Sequence, residues 1–446
     1  MLDPEIFREY DIRGITDSNL TEDTVYEIGK AFSTQMQKSG IRQVVTGRDG
    51  RTTSPTIEKS LSRGLQDGGS IVTSIGRVAT PMLYYATEKL KTGTGIMVTG
   101  SHNPPNYNGL KMMMGGTTLS GSSIQEIYRT INDGASSSGS GSGSGSGSEL
   151  SITSEYLNEI IDQVKLKKSL SVVVDCGNGV AGDFAPKLLR EVGANVEELY
   201  CEVDGSFPNH HPDPAEPVNL QDLIKSVKEN KADIGLAFDG DGDRLGVVTN
   251  LGQIIWPDRL MMLFAKKVLE KTPMATIISD VKCSTDLSSV VKRFKGNYVM
   301  WKTGHTHIKA KMSETNALLG GEFSGHICFK DRWYGYDDAL YSAARLLQIL
   351  ADSNQTVEEI FEEFPERYCT PEIKIPTTES EKFKIMDDLK TNVEFPKAII
   401  NPIDGLRVEY EHSWGLIRAS NTSPVLVLRF EAKDQKNLKD IQALFQ

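Results

Sequence analysis

The sequence predicts an α/β protein: three similar mixed α/β domains plus a smaller C-terminal α+β domain, around a central cleft. Three observations carry this. Apolar β-branched runs alternate with stretches of helical periodicity along most of the 446 residues, which reads as βαβ units on mostly parallel sheets. A strand-then-loop pattern recurs three times along the chain. From about residue 366 the text changes to closely spaced strand-like runs closed by one helix.

In order, strand-like runs fall at 44–46, 95–99, 172–174, 234–238, 247–249 and 276–279. Helical periodicity covers 21–38, 54–67, 154–164, 183–192, 220–228, 258–269 and 336–350. The last segment has strand-like runs at 372–375, 407–410 and 425–430 and a helix over 435–445. Residues 136–148, SSSGSGSGSGSGS, can bury no core and read as a flexible linker or loop. The expected domains are 1–148, 149–252, 253–365 and 366–446. Three apolar runs end in short polar turns at 44–51, 172–179 and 277–284, and three later ones lead into polar Gly-rich loops at 96–105, 234–244 and 318–326. Ligand sites gather at the carboxyl ends of strands in such sheets. One loop from each domain would therefore meet in a shared cleft.

Composition narrows the function. Lys and Arg number 49 against 60 Asp and Glu, a formal net charge of −11. That disfavours a general nucleic-acid or anionic-membrane binder, but leaves room for a small anion where cations are concentrated. No run approaches the ~20 apolar residues that span a bilayer. The opening MLDPEIFREYDIRG carries acids and no apolar stretch, so a secretory signal is not expected. Cys176, Cys201, Cys283, Cys328 and Cys369 are scattered and never form CxxC, which argues against a disulfide scaffold or a cysteine zinc cluster. A cytoplasmic protein is expected.

Four loops carry residue types suited to chemistry. In TGSHNPP, Ser101 is a candidate nucleophile or phosphoryl carrier on a Gly-Pro-stiffened turn, with His102 beside it and Lys111 ten residues on. In DGDGDR, Asp239, Asp241 and Asp243 alternate with glycines, and three like charges so close call for a hard cation, Mg²⁺ first. An EF-hand does not fit, because its sixth position is Arg244 and its twelfth Asn250. Arg244 can steer an acid or bind substrate. In GEFSGH, Glu322, Ser324 and His326 alternate, a set suited to polyhydroxyl recognition. In RASNTSP, Arg418 with Ser420, Asn421 and Thr422 suits a phosphate cradle. FREYDIRG adds Arg8, Tyr10, Asp11 and Arg13; KTGHTHIK adds His305 and His307, expected on a strand or loop as hydrogen-bonding groups.

Taken together and in this order, these loops resemble the α-D-phosphohexomutase family, in its phosphomannomutase/phosphoglucomutase branch. The resemblance runs from FREYDIRG to RASNTSP; the Ser-Gly tract has no place in it. It implies four domains around a cleft, in the order phosphoserine, metal-binding, sugar-recognition and phosphate-binding. It implies that Ser101 is phosphorylated and that Asp239, Asp241 and Asp243 hold Mg²⁺ with it. Glu322 and Ser324 match sugar contacts, with Arg244, Lys282, His305 and His326 as further substrate contacts. Arg418, Ser420, Asn421 and Thr422 match the phosphate-binding loop, with Tyr10 placed in the same set. Arg13, His102 and Lys111 match assisting and acid/base groups. The implied reaction interconverts hexose 1-phosphate and hexose 6-phosphate of mannose or glucose through a hexose 1,6-bisphosphate. The expected partner is a small phosphosugar, without nucleic acid or membrane, on a monomer or weak oligomer. Gly100 and Phe323 point away from phosphoglucosamine mutases, which remain an alternative. A non-catalytic phosphosugar-binding protein on the same fold and a serine-dependent phosphatase are the others.

Overall fold

A computed structural model describes residues 2–134, 145–421 and 423–446. The chain forms two compact units, Met1–Pro257 with Ser324–Phe361, and Asp258–Phe323 with Glu362–Gln446. Among the described residues no helix is long and apolar enough to cross a membrane.

Among the described residues the first unit contains two mixed sheets. In one, the parallel strands Gln43–Arg48, Ile71–Arg77 and Gly95–Val98 are extended by Tyr107–Met114, antiparallel to both Gly95–Val98 and Ile12–Ile15. The helix Glu22–Lys38 buries Val25, Ile28, Phe32 and Met36 at helical spacing, in a core shared with Ile57, Leu61 and Leu65 of the helix Ser54–Asp67. The other sheet pairs Ile234–Phe238 parallel to Ser171–Asp175 and antiparallel to Leu245–Thr249. Every residue of Ile234–Phe238 is buried, which explains its unbroken apolar text. The hairpin register closes at Phe238↔Leu245, so the acidic stretch 239–244 is the hairpin's connecting loop.

The Ser-Gly tract departs from the linker reading at its end. Gly147–Glu149 is a strand, parallel to Val72–Ser74, and Val72 N–H donates to the Ser146 carbonyl at 2.9 Å. The strand Ile71–Arg77 offers an open edge of backbone groups, and pairing satisfies them. Glycine suits this approach: a Cβ at Gly145 would strike the Gln66 backbone, and one at Gly147 the Gln66 side chain. Residues 136–144 of the tract lie outside the described residues.

The second unit holds a parallel set, Thr276–Asp280 between Asn297–Trp301 and Leu319–Gly321. It also holds an antiparallel sheet running Val425–Ala432, Ser413–Ala419, Leu406–Glu409 and Ile399–Asn401, with Ile373–Pro376 on the outer side of Val425–Ala432. Trp414 joins the two. Its indole lies 3.8 Å from the Arg407 guanidinium, and Arg407 donates to the carbonyl of Cys283 at 2.8 Å. Trp414 Nε1 and Ser284 Oγ both donate to Glu431 Oε1, at 2.9 and 2.7 Å.

Candidate active site

Ser101 follows the strand Gly95–Val98 and has φ +48°, a left-handed conformation costly for a residue with a Cβ. The surroundings enforce it. Ser101 N–H donates to Thr99 Oγ1 at 2.8 Å. Arg51, 2% exposed, donates to the carbonyls of Ser101 (2.7 Å), Asn103 (2.6 Å), Pro104 (2.7 Å) and Tyr107 (3.0 Å). Asp49 pairs with Arg51 at 3.3 Å and accepts from Gly100 N–H at 3.2 Å. Gly100 is required there, since a Cβ would stand 2.6 Å from the Arg51 guanidinium carbon. Burial lowers the Arg51 pKa against the pull of Asp49, but a guanidinium stays charged. Asp49 and Arg51 were not singled out from sequence, although they lie in the polar turn 44–51.

The turn presents Ser101 Oγ to the acidic hairpin loop. Oγ donates to Asp239 Oδ2 at 2.9 Å and lies 3.1 Å from His102 Nδ1. Asp239, Asp241 and Asp243 are fully buried, with carboxylate oxygens within 4.8 Å of one another. Asp239 Oδ1 accepts from the N–H groups of Asp243 (3.0 Å) and Arg244 (3.1 Å). Lys111 Nζ donates to Asp241 Oδ2 at 2.7 Å and to Asp243 Oδ2 at 2.5 Å. Burial opposes the Lys111 charge, but Asp241 and Asp243 outweigh it and raise the lysine pKa. Burial and then the neighbouring Asp243 and Asp241 push Asp239 well above the carboxylate range. Burial acts likewise on Asp243, but Lys111 and His326 overrule it and hold Asp243 well below that range.

This donor set fits a divalent cation. Among the described residues Asp241 Oδ1 is buried without a hydrogen-bond partner, a costly state for a carboxylate oxygen that a bound ion would relieve. Three carboxylates suit a hard ion that prefers oxygen.

Other expected residues gather in the same unit. His326 Nε2 lies 3.3 Å from both Asp243 Oδ1 and Arg244 Nε, and its Nδ1 lies 3.0 Å from Ser324 Oγ. Arg13 pairs with Asp11 at 2.5 Å and donates to Asn103 Oδ1 on the serine loop. Burial, then Arg244, Arg13 and Lys111, lower the His102 pKa well below the usual value, leaving a neutral imidazole at neutral pH. Tyr10 is buried in this unit. A segment missed from sequence, 209–214, wraps the loop: Pro212 O accepts from Gly240 N–H at 3.2 Å, and Asp213 lies 3.9 Å from Arg244.

The second unit holds the remaining residues. Lys282 donates to Glu372 at 2.8 Å; burial opposes the Glu372 charge, but Lys282 brings its pKa down to about 2. His305 and His307 lie on the helix His305–Thr315, not on a strand or loop. Gly304, with φ +130°, turns the chain into that helix, and its N–H donates to Glu322 Oε1 at 2.6 Å, setting a carboxylate at the positive helix end. Residues two apart on a helix do not share a face, so the two histidines diverge; His305 Nδ1 lies 3.1 Å from Lys309 Nζ. Arg418 pairs with Asp404 at 3.0 Å. Ser420 leads into the turn that carries Asn421. Lys382, 1% exposed and missed from sequence, donates to the carbonyls of Ser420 (2.7 Å) and Ser423 (3.2 Å). Thr422 lies outside the described residues.

Four family models match the chain in order. They are the phosphoglucomutase/phosphomannomutase alpha/beta/alpha domains I, II and III, over residues 4–138, 154–252 and 256–368, and the C-terminal domain over 372–445. A phosphomannomutase/phosphoglucomutase of Pseudomonas aeruginosa is 51% identical over 100% of this chain and 95% of that protein. A phosphoglucomutase of Neisseria meningitidis is 48% identical over 99% and 96%. The crystal structure of a phosphoglucomutase/phosphomannomutase family protein from Burkholderia thailandensis matches with a TM-score of 0.94 at 45% identity, covering 100% of this chain and 97% of that one.

Proposed function

The chain belongs to the phosphoglucomutase/phosphomannomutase family, and from that premise we propose how it acts as a hexose-phosphate mutase, an isomerase. In this reading Ser101 is the phosphoryl carrier. Phosphoserine 101 gives its phosphoryl group to the free hydroxyl of a hexose monophosphate of mannose or glucose. The P–Oγ bond breaks as a P–O bond to the sugar forms, and the proton of the sugar hydroxyl ends on the leaving Ser101 Oγ, which becomes the free hydroxyl. The product is a hexose 1,6-bisphosphate. It turns over, and its other phosphate returns to Ser101.

The observation that carries this reading is a strained, buried serine hydroxyl 2.9 Å from the first of three clustered carboxylates. Phosphoryl transfer is mostly positioning and charge stabilisation. Lys111 and Arg13 supply fixed positive charge, and neutral His102 hydrogen-bonds the serine oxygen. Asp239, Asp241 and Asp243 would hold Mg²⁺ with the phosphoserine; such an ion neutralises charge on the transferring group. Arg244, Lys282, His305, Glu322, Ser324 and His326 are assigned to the sugar phosphate. Tyr10, Arg418, Ser420, Asn421 and Thr422 are assigned to the phosphate that is not reacting. The four segments 1–148, 149–252, 253–365 and 366–446 then act as phosphoserine, metal-binding, sugar-recognition and phosphate-binding domains.

A coupled assay with mannose, glucose and glucosamine 1-phosphates, Mg²⁺ and catalytic hexose 1,6-bisphosphate tests this. Turnover of the mannose or glucose ester is expected. Glucosamine 1-phosphate as the best substrate would favour phosphoglucosamine mutase, and inorganic phosphate as the main product a phosphatase.

A further inference from the structure

Thr80 is fully buried, and its Oγ1 donates to Asp241 Oδ2 at 2.5 Å. Its backbone N–H also donates to the Asp241 carbonyl, at 2.9 Å. Thr80 opens the helix Thr80–Lys89, whose preceding residue, Ala79, makes no side-chain cap. The Asp241 carbonyl takes that role instead, and the positive end of the helix lies at a carboxylate-bearing residue. Next along the loop, Gly242 has φ +76° and so little room that an added Cβ would stand 3.2 Å from the Ala79 Cβ.

Backbone and carboxylate of Asp241 are thus both fixed by one residue lying 161 positions earlier in the chain. Oδ2 is shared between Thr80 and Lys111, while Oδ1 is buried without a hydrogen-bond partner among the described residues. We propose that Thr80 is a positioning residue that orients Asp241 and sets the divalent-ion affinity of the acidic loop. This rests on the reading of Asp239, Asp241 and Asp243 as ion ligands. Hydroxyl donors to a ligating carboxylate restrict its rotation, and losing such a partner typically costs about 10–100-fold in metal affinity.

The test is calorimetric titration of Mg²⁺ into the full chain as wild type, Thr80→Val, Thr80→Ser and Asp241→Asn, with melting temperatures taken in chelator. Thr80→Val keeps the volume and loses the hydroxyl; Thr80→Ser keeps the hydroxyl. The expected result is wild-type binding, loss in Asp241→Asn, a Kd raised about 10–100-fold in Thr80→Val, and rescue to within about twofold in Thr80→Ser. Wild-type affinity in Thr80→Val, or equal weakening in Thr80→Ser, overturns the positioning role. Absence of Mg²⁺ binding by wild type overturns the ion-site reading, and this inference with it. If Thr80→Val does not fold, Thr80→Ala takes its place against Thr80→Ser under the same criteria.

Discussion

Arg51 decides whether the Ser101 turn keeps its shape. A guanidinium is a planar fork, and this one reaches four carbonyls between Ser101 and Tyr107. A lysine ammonium cannot span them, and each buried carbonyl left unpaired costs about 1–3 kcal/mol. Arg51→Lys is expected to lower kcat about 100-fold, the scale of a 1 Å misplacement of a reacting group. Steady-state kinetics beside Mg²⁺ titration checks this; ion binding should persist, and an unchanged kcat would refute the clamp. Ser101 and the three aspartates were legible because glycine and proline frame them in a rare pattern. Arg51, Thr80 and Lys382 were not. An arginine, a threonine or a lysine is ambiguous until folding supplies its partner, and here those partners lie 50, 161 and 38 positions away.

At the scale of elements, periodicity read well where one physical cause dominates. The helix Ser54–Asp67 matches its amphipathic text and the strand Ile234–Phe238 its buried apolar run, both to the residue. Gly147–Glu149 and His305–Thr315 were misread because tertiary contacts create them, through an open sheet edge and a glycine turn capped by Glu322. Lys382 shows how one element serves another: from the helix Glu379–Asn392 it supports the turn that carries Asn421. Lys382→Met should loosen that turn and raise KM for the sugar phosphate about tenfold, with kcat little altered, because a mobile binding turn weakens ground and transition states alike. An unchanged KM would remove the support role. Asp338 caps the helix Ala339–Ala351 and accepts from Tyr156 Oη (2.9 Å), Trp333 Nε1 (3.0 Å) and Tyr341 N–H (2.9 Å). Burial pushes its pKa up to about 7. A carboxyl raised on folding stabilises most when protonated, below its ordinary value, and loses that contribution as pH rises through about 7. The melting temperature of wild type minus that of Asp338→Asn should therefore fall from pH 4 to pH 8, an expectation that a flat difference would contradict.

At the scale of the molecule, the net charge of −11 hides local balance. In the first unit Lys111 lies among Asp241 and Asp243, and Arg51 against Asp49. In the second, Lys282 faces Glu372 and Arg418 faces Asp404. Four segments were legible from the repeated strand-then-loop pattern and the change of texture near residue 366, and four family models follow the same order. The division into two compact units was not legible, because it depends on contacts that join 324–361 to the first unit and 362–446 to the second. The phosphoryl-carrier role proposed for Ser101 underlies the whole reaction. Its most direct test follows glucose 1-phosphate conversion by wild type and Ser101→Ala, with mass-spectrometric detection of phosphate on the Ser101 peptide. The expected result is conversion to glucose 6-phosphate and a phosphorylated Ser101 in wild type, with turnover lost but sugar-phosphate binding kept in Ser101→Ala. Conversion at the wild-type rate by Ser101→Ala would contradict it.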